Sequence, residues 1–175
     1  MQQTSIFDEP TPAVSIFNKQ FNGVKSVMEN GRMHSVIKSR KKEHHRYIEK
    51  GDKLDVYRNL NRPNFFSAKA KSGQFKNLVA GYARCYILKD VGFFVGTGRE
   101  KAIAEQTRNV HAYARGVLVD AFDGLITELN GMRAITYNPF NEDKPYFHFK
   151  DTGELIEGIV FDSVIVQGAN VWVEA

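Results

Sequence analysis

The sequence contains a single cysteine, Cys85, among its 175 residues. One cysteine cannot form an intramolecular disulfide, and no CxxC or Cys/His spacing typical of a zinc site is present. No run approaches the ~18 apolar residues that a membrane span needs, and the first residues, MQQTSIFDEPTP, lack the basic and apolar regions of a signal peptide. We therefore expect a cytoplasmic protein in a reducing compartment, without membrane association.

Motifs of the common enzyme classes are also missing. The chain has no GxSxG, HExxH, P-loop or GxGxxG pattern, and no third glycine follows Gly96 and Gly98 at the dinucleotide-binding spacing. Cys85 shares strand parity with small apolar residues, which predicts a buried and unreactive thiol. The sequence thus predicts a non-enzymatic protein without cofactor or metal. An enzyme that acts on nucleotides through residues distant in sequence is the alternative to this prediction.

Basic and acidic residues are unevenly distributed along the chain. Residues 54–115 hold 11 Lys and Arg against 4 Asp and Glu, whereas residues 116–175 hold 3 against 10. This separation predicts a basic central surface for an anionic ligand and an acidic C-terminal part. Pairing of the two parts, within one chain or between identical subunits, is the alternative.

The first 53 residues predict a helical, basic N-terminal extension. Residues 16–29 have apolar positions at helical spacing, followed by a typical helix stop at Asn30-Gly31, which predicts an amphipathic helix. Its apolar positions are Phe17, Phe21, Val24 and Met28. Residues 38–53 predict a basic helix with the cations Lys38, Arg40, Lys41, Lys42, Arg46, Lys50 and Lys53. The basic helix is either a solvated face or a contact for nucleic acid or an acidic protein.

Residues 54–175 predict a β-rich ligand-binding domain of eight or nine strands. Short runs rich in aromatic and β-branched residues alternate there with turn signals such as KSG, DTG and QGAN. A capping-box pattern from Thr97 to Glu100 predicts one connecting helix, and residues 122–131 predict a second short helix. The predicted fold class is α+β, with a mainly antiparallel β-sheet core, one or two short helices and the N-terminal helical extension.

The tripeptide Tyr-Ala-Arg occurs in two predicted strands, residues 78–88 and 109–119. In each strand one set of alternate residues is small and apolar, and the other carries tyrosine and arginine, which predicts a core face and an open face. If the strands share a sheet, their open faces form one surface. It comprises Tyr82, Arg84, Tyr86, Asn109, His111, Tyr113 and Arg115.

This surface has the chemistry of a site for a small nucleotide ligand. Tyrosine rings stack on bases, arginine binds phosphate through two donors, and asparagine or histidine reads a base edge or a ribose hydroxyl. A solvated sheet face with cross-strand pairs is the alternative. Arg58 and Arg133 alternate with apolar residues so that each points to the apolar face of its strand. We therefore expect each arginine to have an anionic partner, either an internal carboxylate or a ligand phosphate.

Three segments resemble bacteriophage proteins: RNL at 58–60, GRE to RNVHAYARG at 98–116, and ITYNPF at 135–140. Over residues 54–165 the chain resembles the phage anti-Thoeris sponge family. The resemblance implies a homo-oligomeric protein of the host cell cytoplasm that sequesters cyclic ADP-ribose isomers or cyclic oligonucleotides without turnover, at sites between subunits. It implies ligand contacts at Arg58, Asn109 and Arg133, with Tyr82 or Phe94 stacking on adenine. Residues 1–50 lie outside the resemblance.

Two hypotheses of different classes follow. In the first, a phage anti-defence sponge holds a phosphate-rich nucleotide, with its arginines on phosphate and its tyrosines stacking. The arginines are Arg58, Arg84, Arg115 and Arg133, and the tyrosines are Tyr82, Tyr86 and Tyr113. In the alternative, a phage protein binds nucleic acid or a host defence protein, for example a CRISPR effector, through the basic residues 38–53 and the amphipathic helix predicted for residues 16–29.

Overall fold

The computed structural model describes residues 21, 23–96, 112–137, 146–156 and 158–174, and it contains eleven β-strands. The strands are β1 (Arg32–Ser39), β2 (Lys42–Glu49), β3 (Lys53–Arg58), β4 (Phe66–Ala70), β5 (Val79–Ala83), β6 (Cys85–Val95), β7 (Ala112–Phe122), β8 (Met132–Thr136), β9 (His148–Phe149), β10 (Phe161–Gln167) and β11 (Asn170–Glu174). None of the described residues is helical, so none forms a helix long and apolar enough to cross a bilayer. The predicted α+β class is therefore wrong, whereas the antiparallel sheet is confirmed.

The strands form two antiparallel sheets. The β1–β2 hairpin is one, and β3 to β11 form the other, in the order β5-β4-β3-β7-β6-β10-β11-β8-β9. Only Arg84 separates β5, at one edge, from β6, the fifth strand in the order. The Tyr86 hydroxyl of β6 donates a hydrogen bond to the Phe66 carbonyl of β4 at 3.1 Å, although three places separate these strands in the order. The sheet is therefore strongly curved, with an inner and an outer face.

Each face of the sheet carries its own apolar core. The inner core includes Leu88 and Val164, and the outer core includes Ile87 and Ile165, the intervening neighbours on the same two strands. Successive residues of a strand point to opposite faces, so β6 and β10 are buried on both sides. This double burial explains why they contain the continuous apolar runs YIL and VIV.

The β1–β2 hairpin packs on the inner core. Met33 and Ile48 are directly opposite each other in the hairpin, and both are buried in that core. They occupy the space above Gly81 of β5, where an added Cβ would lie 2.6 Å from Met33 Cε and 3.2 Å from Ile48 Cδ1. The absent side chain of Gly81 therefore makes room for the hairpin.

The basic helix predicted for residues 38–53 is also wrong, because this segment contains the end of β1, all of β2 and the start of β3. Arg40 and Lys41 form the hairpin turn, and both have positive φ, at 46° and 69°. Cross-strand pairing and packing on β5 bury apolar hairpin residues that an isolated basic helix would leave exposed.

The described part of the helix predicted for residues 16–29 is not helical. Within residues 23–29 the backbone bonds to the chain around the end of β7: the Val27 amide donates to the Ala121 carbonyl at 2.9 Å, and the Lys25 carbonyl accepts from the Asp123 amide at 3.1 Å. Backbone groups that pair with a strand cannot form the ladder of a helix, although Phe21 still packs in the outer core. The rest of that predicted helix lies outside the described residues.

The short helix predicted for residues 122–131 is also absent from the structure. The Gln167 side chain holds this segment in an irregular conformation, because it accepts from the Ile126 amide and donates to the Ile126 carbonyl, both at 2.7 Å. A side chain that satisfies both backbone groups replaces the bonds a helix would provide. The connecting helix predicted from Thr97 lies outside the described residues.

Candidate ligand site

The two Tyr-Ala-Arg segments contribute to one face of the sheet, but they are not adjacent. Tyr82 of β5 lies opposite Ser67, which lies opposite Tyr57 of β3. Asp55, two residues before Tyr57, lies opposite Arg115 of β7. Directly paired residues share a face, so these side chains share the outer face, with β4 and β3 between the two segments. Burial, then the neighbouring tyrosine and aspartate, raises the pKa of Tyr57.

Arg115 is engaged within the protein. Its Nε and Nη2 donate to the two carboxylate oxygens of Asp55 at 2.7 and 3.0 Å, and the hydrogen bonds raise the pKa of Arg115. The guanidinium also lies 5.4 and 5.5 Å from the ring centroids of Phe94 and Tyr113, which stack on each other. The structure therefore gives Arg115 an internal carboxylate partner, and it makes Tyr113 a support for this pair.

Tyr86 does not lie on the open face predicted for it. The chain bends at Arg84, between β5 and β6, so the alternation of residues 78–88 does not continue through that point. Tyr86 is 0% exposed in the inner core, where burial raises the pKa of its phenol. Placing Tyr86 on the ligand face was wrong, because a one-residue bend changes which face the following residues occupy.

Arg133 also has an internal partner, the carboxylate of Asp151. Two hydrogen bonds of 3.1 and 2.9 Å join the side chains, and they lower the pKa of Asp151. The Arg133 guanidinium lies 3.7 Å from the centroid of the Phe149 ring. Of the alternatives open for Arg133, the structure shows the internal carboxylate. Asn109 and His111 lie outside the described residues.

Five chain segments meet at one corner of the sheet. Arg58, the last residue of β3, lies opposite Phe66, and Phe66 lies opposite Ala83, the last residue of β5. Arg84 follows in the chain, and the next residue, at the start of β6, lies opposite the end of β10. The β10–β11 turn completes the corner, because Arg58 Nη2 donates to the Gly168 carbonyl at 3.2 Å.

Three arginines surround this corner, and we call the set Arg58, Arg62 and Arg84 the arginine corner. Arg62 lies 4.0 Å and Arg84 5.0 Å from the centroid of the Phe65 ring, on the outer side. Arg58 lies 5.5 Å from the Phe66 ring, on the side of the inner core. Cation–π contacts of this kind orient a guanidinium without neutralising it.

No carboxylate of the described residues pairs with the arginine corner. The ion pairs of the described residues involve Arg32, Lys38, Arg115 and Arg133. The β3–β4 turn that carries Arg62 is ordered by Asn59, whose side-chain oxygen accepts from the amides of Asn61 and Arg62 at 2.9 and 3.0 Å. The corner is therefore a fixed positive surface with donors available to an anion.

A cavity of about 200 Å³ opens beside Arg58. It lies on the inner side of the curved sheet, between β3, β6 and β7 on one side and β8 and the β10–β11 turn on the other. Its lining includes Val56, Arg58, Phe93, Ala114, Ile135 and Phe147. Apolar walls with a charged group at one side are typical of small-molecule sites.

The structure thus brings Arg58, Tyr82 and Arg84 to one corner, where Arg62 lies 5.5 Å from the Tyr82 ring centroid. Sequence reasoning missed Arg62 and Phe65, which both belong to the segment RNLNRPNFF. Two arginines around a turn, followed after two intervening residues by a pair of adjacent phenylalanines, were a usable signal there. The cavity itself depends on the curvature of the sheet, which no local sequence pattern encodes.

Fold and site together define a protein whose described residues form an antiparallel β-structure, with a cationic corner beside an apolar cavity. The chain belongs to the family of the Mycobacterium phage L5 gene 82 protein, whose family model matches residues 47–173. The match covers the arginine corner and the described lining of the cavity. Neither a curated protein nor a solved structure matches the chain significantly. The comparison supports a bacteriophage protein, but not the anti-Thoeris family specifically.

Proposed function

We propose that the protein binds a phosphate-bearing nucleotide, with the phosphate on Arg58 and the base or ribose in the adjoining cavity. The observation that carries this proposal is the position of Arg58: it lines an apolar cavity, and its polar contact is a carbonyl oxygen at 3.2 Å. A guanidinium in that position offers its remaining donors to two oxygens of one phosphate. Arg62 and Arg84 add positive potential on the outer side of the corner, which favours the approach of an anion.

The size of the cavity limits the part of the ligand that enters it. About 200 Å³ is below the ~300–1,000 Å³ typical of sites that enclose a whole drug-sized ligand. A base or a ribose therefore enters, and the phosphates stay at the rim near Arg58. A cyclic ADP-ribose isomer or a cyclic oligonucleotide, which carries both groups, is consistent with this division.

We propose binding without turnover, and hence sequestration of a nucleotide signal as an anti-defence activity of the phage. Arginine side chains donate hydrogen bonds and accept none, so the arginine corner can bind an anion without supplying a general base. Membership of a phage family supports a role inside the infected cell. We also propose that identical copies of this chain form a homo-oligomer. The test is the molecular mass of the protein in solution, which should be a multiple of the mass of one chain.

The test is calorimetric titration with cyclic ADP-ribose, ADP-ribose and cyclic di-AMP, followed by mass spectrometry of the ligand released from the complex. Charged hydrogen bonds contribute roughly 1.5–3 kcal/mol, so Arg58→Ala should weaken binding about 10- to 100-fold. The double variant Arg62→Ala/Arg84→Ala should weaken it less, mainly at low salt. Arg133→Ala removes the same charge away from the cavity and is the matched control.

The outcome of this titration distinguishes sequestration of the ligand from enzymatic turnover and from an incorrect choice of site. An intact ligand after release, with weaker binding in Arg58→Ala and unchanged binding in Arg133→Ala, supports sequestration at the cavity. A ligand recovered with a changed mass means that the protein is an enzyme. If none of the nucleotides binds, or if Arg58→Ala binds as tightly as the parent protein, the proposed site is wrong.

A further inference from the structure

The distal end of the β1–β2 hairpin carries a dense positive charge. Four of the five residues from Lys38 to Lys42 are basic, and all five are exposed. Glu43 lies 3.9 Å from Lys38, and both side chains are mostly in water, so this pair neutralises little of the charge. The three other basic residues of the segment have no carboxylate partner among the described residues.

The hairpin turn places two of these cations in an unfavourable backbone conformation. Ser39 pairs with Lys42, so Arg40 and Lys41 form a two-residue loop, and both have positive φ. Such loops favour Asn-Gly or Gly-Gly, because residues with a long side chain are strained at positive φ. Local backbone preference therefore does not account for Arg-Lys at this turn, and outliers of this kind often occur at functional sites.

The base of the same hairpin is fixed to the domain. Its apolar side is buried above Gly81, and Arg46 donates to the Val79 carbonyl of β5 at 2.8 Å. Tyr47 packs edge-on against Phe75, with ring centroids 5.1 Å apart. A fixed base with an exposed basic tip presents its cations in one orientation, which lowers the entropy lost on binding.

We propose that the distal end of the β1–β2 hairpin binds the phosphate backbone of a nucleic acid without sequence preference. A two-stranded ribbon fits the major groove of duplex DNA, and Lys and Arg are the side chains that contact phosphates. Nucleic acid fits better than an acidic protein because the charges form one compact row with no apolar side chain among Lys38–Lys42. This contact is independent of the nucleotide proposed for the cavity.

The test is the salt dependence of binding to a fluorescent duplex DNA of about 20 bp and to a single-stranded RNA of about 20 nucleotides, by anisotropy. Four phosphate contacts give a log–log slope of about −3.6 on duplex DNA, so affinity should fall roughly 150-fold between about 50 and 200 mM salt. In Arg40→Asn/Lys41→Gly the slope should weaken to about −1.8, a roughly 12-fold fall over the same range. This variant suits the turn, so poor folding cannot explain the loss.

Two control variants test whether the change in the salt slope is specific to the hairpin. Lys76→Gln/Lys89→Gln removes two exposed lysines outside the hairpin and should leave the slope unchanged. Arg62→Ala/Arg84→Ala should also leave it unchanged, which separates the hairpin from the arginine corner. The proposal is overturned if neither nucleic acid binds at low salt, as expected for a protein partner, or if Arg40→Asn/Lys41→Gly keeps the parent slope.

Discussion

The Asp55–Arg115 pair gives the sharpest test of how the outer face is built. The side chain of Asp55 is 10% exposed and that of Arg115 is 32% exposed, and two hydrogen bonds join them. The Arg115→Met variant keeps the aliphatic bulk against Phe94 and Tyr113 but leaves a buried carboxylate without a partner. Losing one partner of a buried pair costs about 3–5 kcal/mol, and water reaching this partly exposed pair reduces the expected loss to about 2–3 kcal/mol.

A double-mutant cycle in urea measures this coupling directly. We expect Asp55→Asn to cost less, about 1–2 kcal/mol, because water can solvate the remaining guanidinium. The double variant Asp55→Asn/Arg115→Met should cost about 2 kcal/mol, which is less than the sum of the single changes. Arg133→Met is the matched control: its partner Asp151 has a side chain 58% exposed, so water solvates the remaining carboxylate and we expect a much smaller loss than for Arg115→Met.

Two results would refute this reasoning. The first is an Arg115→Met protein with the parent free energy of unfolding, and the second is additivity of the Asp55 and Arg115 changes within about 0.3 kcal/mol. The same variant also tests the site. Arg115→Met should keep its affinity for a nucleotide that binds at Arg58, because its charge is already used by Asp55.

Three further predictions concern the core, the thiol and the hairpin turn. Gly116→Ala should lower the free energy of unfolding by about 1–3 kcal/mol in a urea titration, because the new Cβ would lie 2.8 Å from Val91 Cγ2 and 3.0 Å from a β6 carbonyl oxygen. Burial raises the pKa of Cys85 to about 12, so the native thiol should resist labelling by thiol reagents that modify the unfolded chain. The thiol's contribution to stability is complete below its ordinary value of 9.0 and is lost between pH 9.0 and about 12, because the unfolded chain ionises first. Arg40→Asn/Lys41→Gly should raise the thermal midpoint, with about 1 kcal/mol gained from relief of two strained residues, and an unchanged midpoint would mean that the turn stores no strain.

The sheet could be predicted from the sequence because its signals are local. The runs LDVYRNL, MRAITYN and NVWVEA all became strands, since alternation and β-branched residues act over a few neighbours. The hairpin could not be recognised from its charge-rich sequence. Its apolar residues are separated by basic ones, and their burial depends on Gly81, which is distant in the chain.

The candidate site was predictable in its chemistry but not in its assembly. Arg58, Tyr82 and Arg84 were named from parity and residue type, and they do meet at one corner. Arg115 and Arg133 carry the same side chain, yet each has a carboxylate partner. Which arginine is paired depends on strand order and curvature, and these arise from contacts between residues far apart in sequence.

The hairpin also has a consequence for protein engineering. Residues 32–49 form one continuous segment whose first and last residues, Arg32 and Glu49, pair with each other, so the hairpin could be taken for a removable arm. In structure it cannot be removed cleanly, because Met33 and Ile48 complete the core above Gly81. Grafting this arm onto another scaffold would therefore require a strand with a glycine at the matching position, and excising it would leave an apolar surface prone to aggregation.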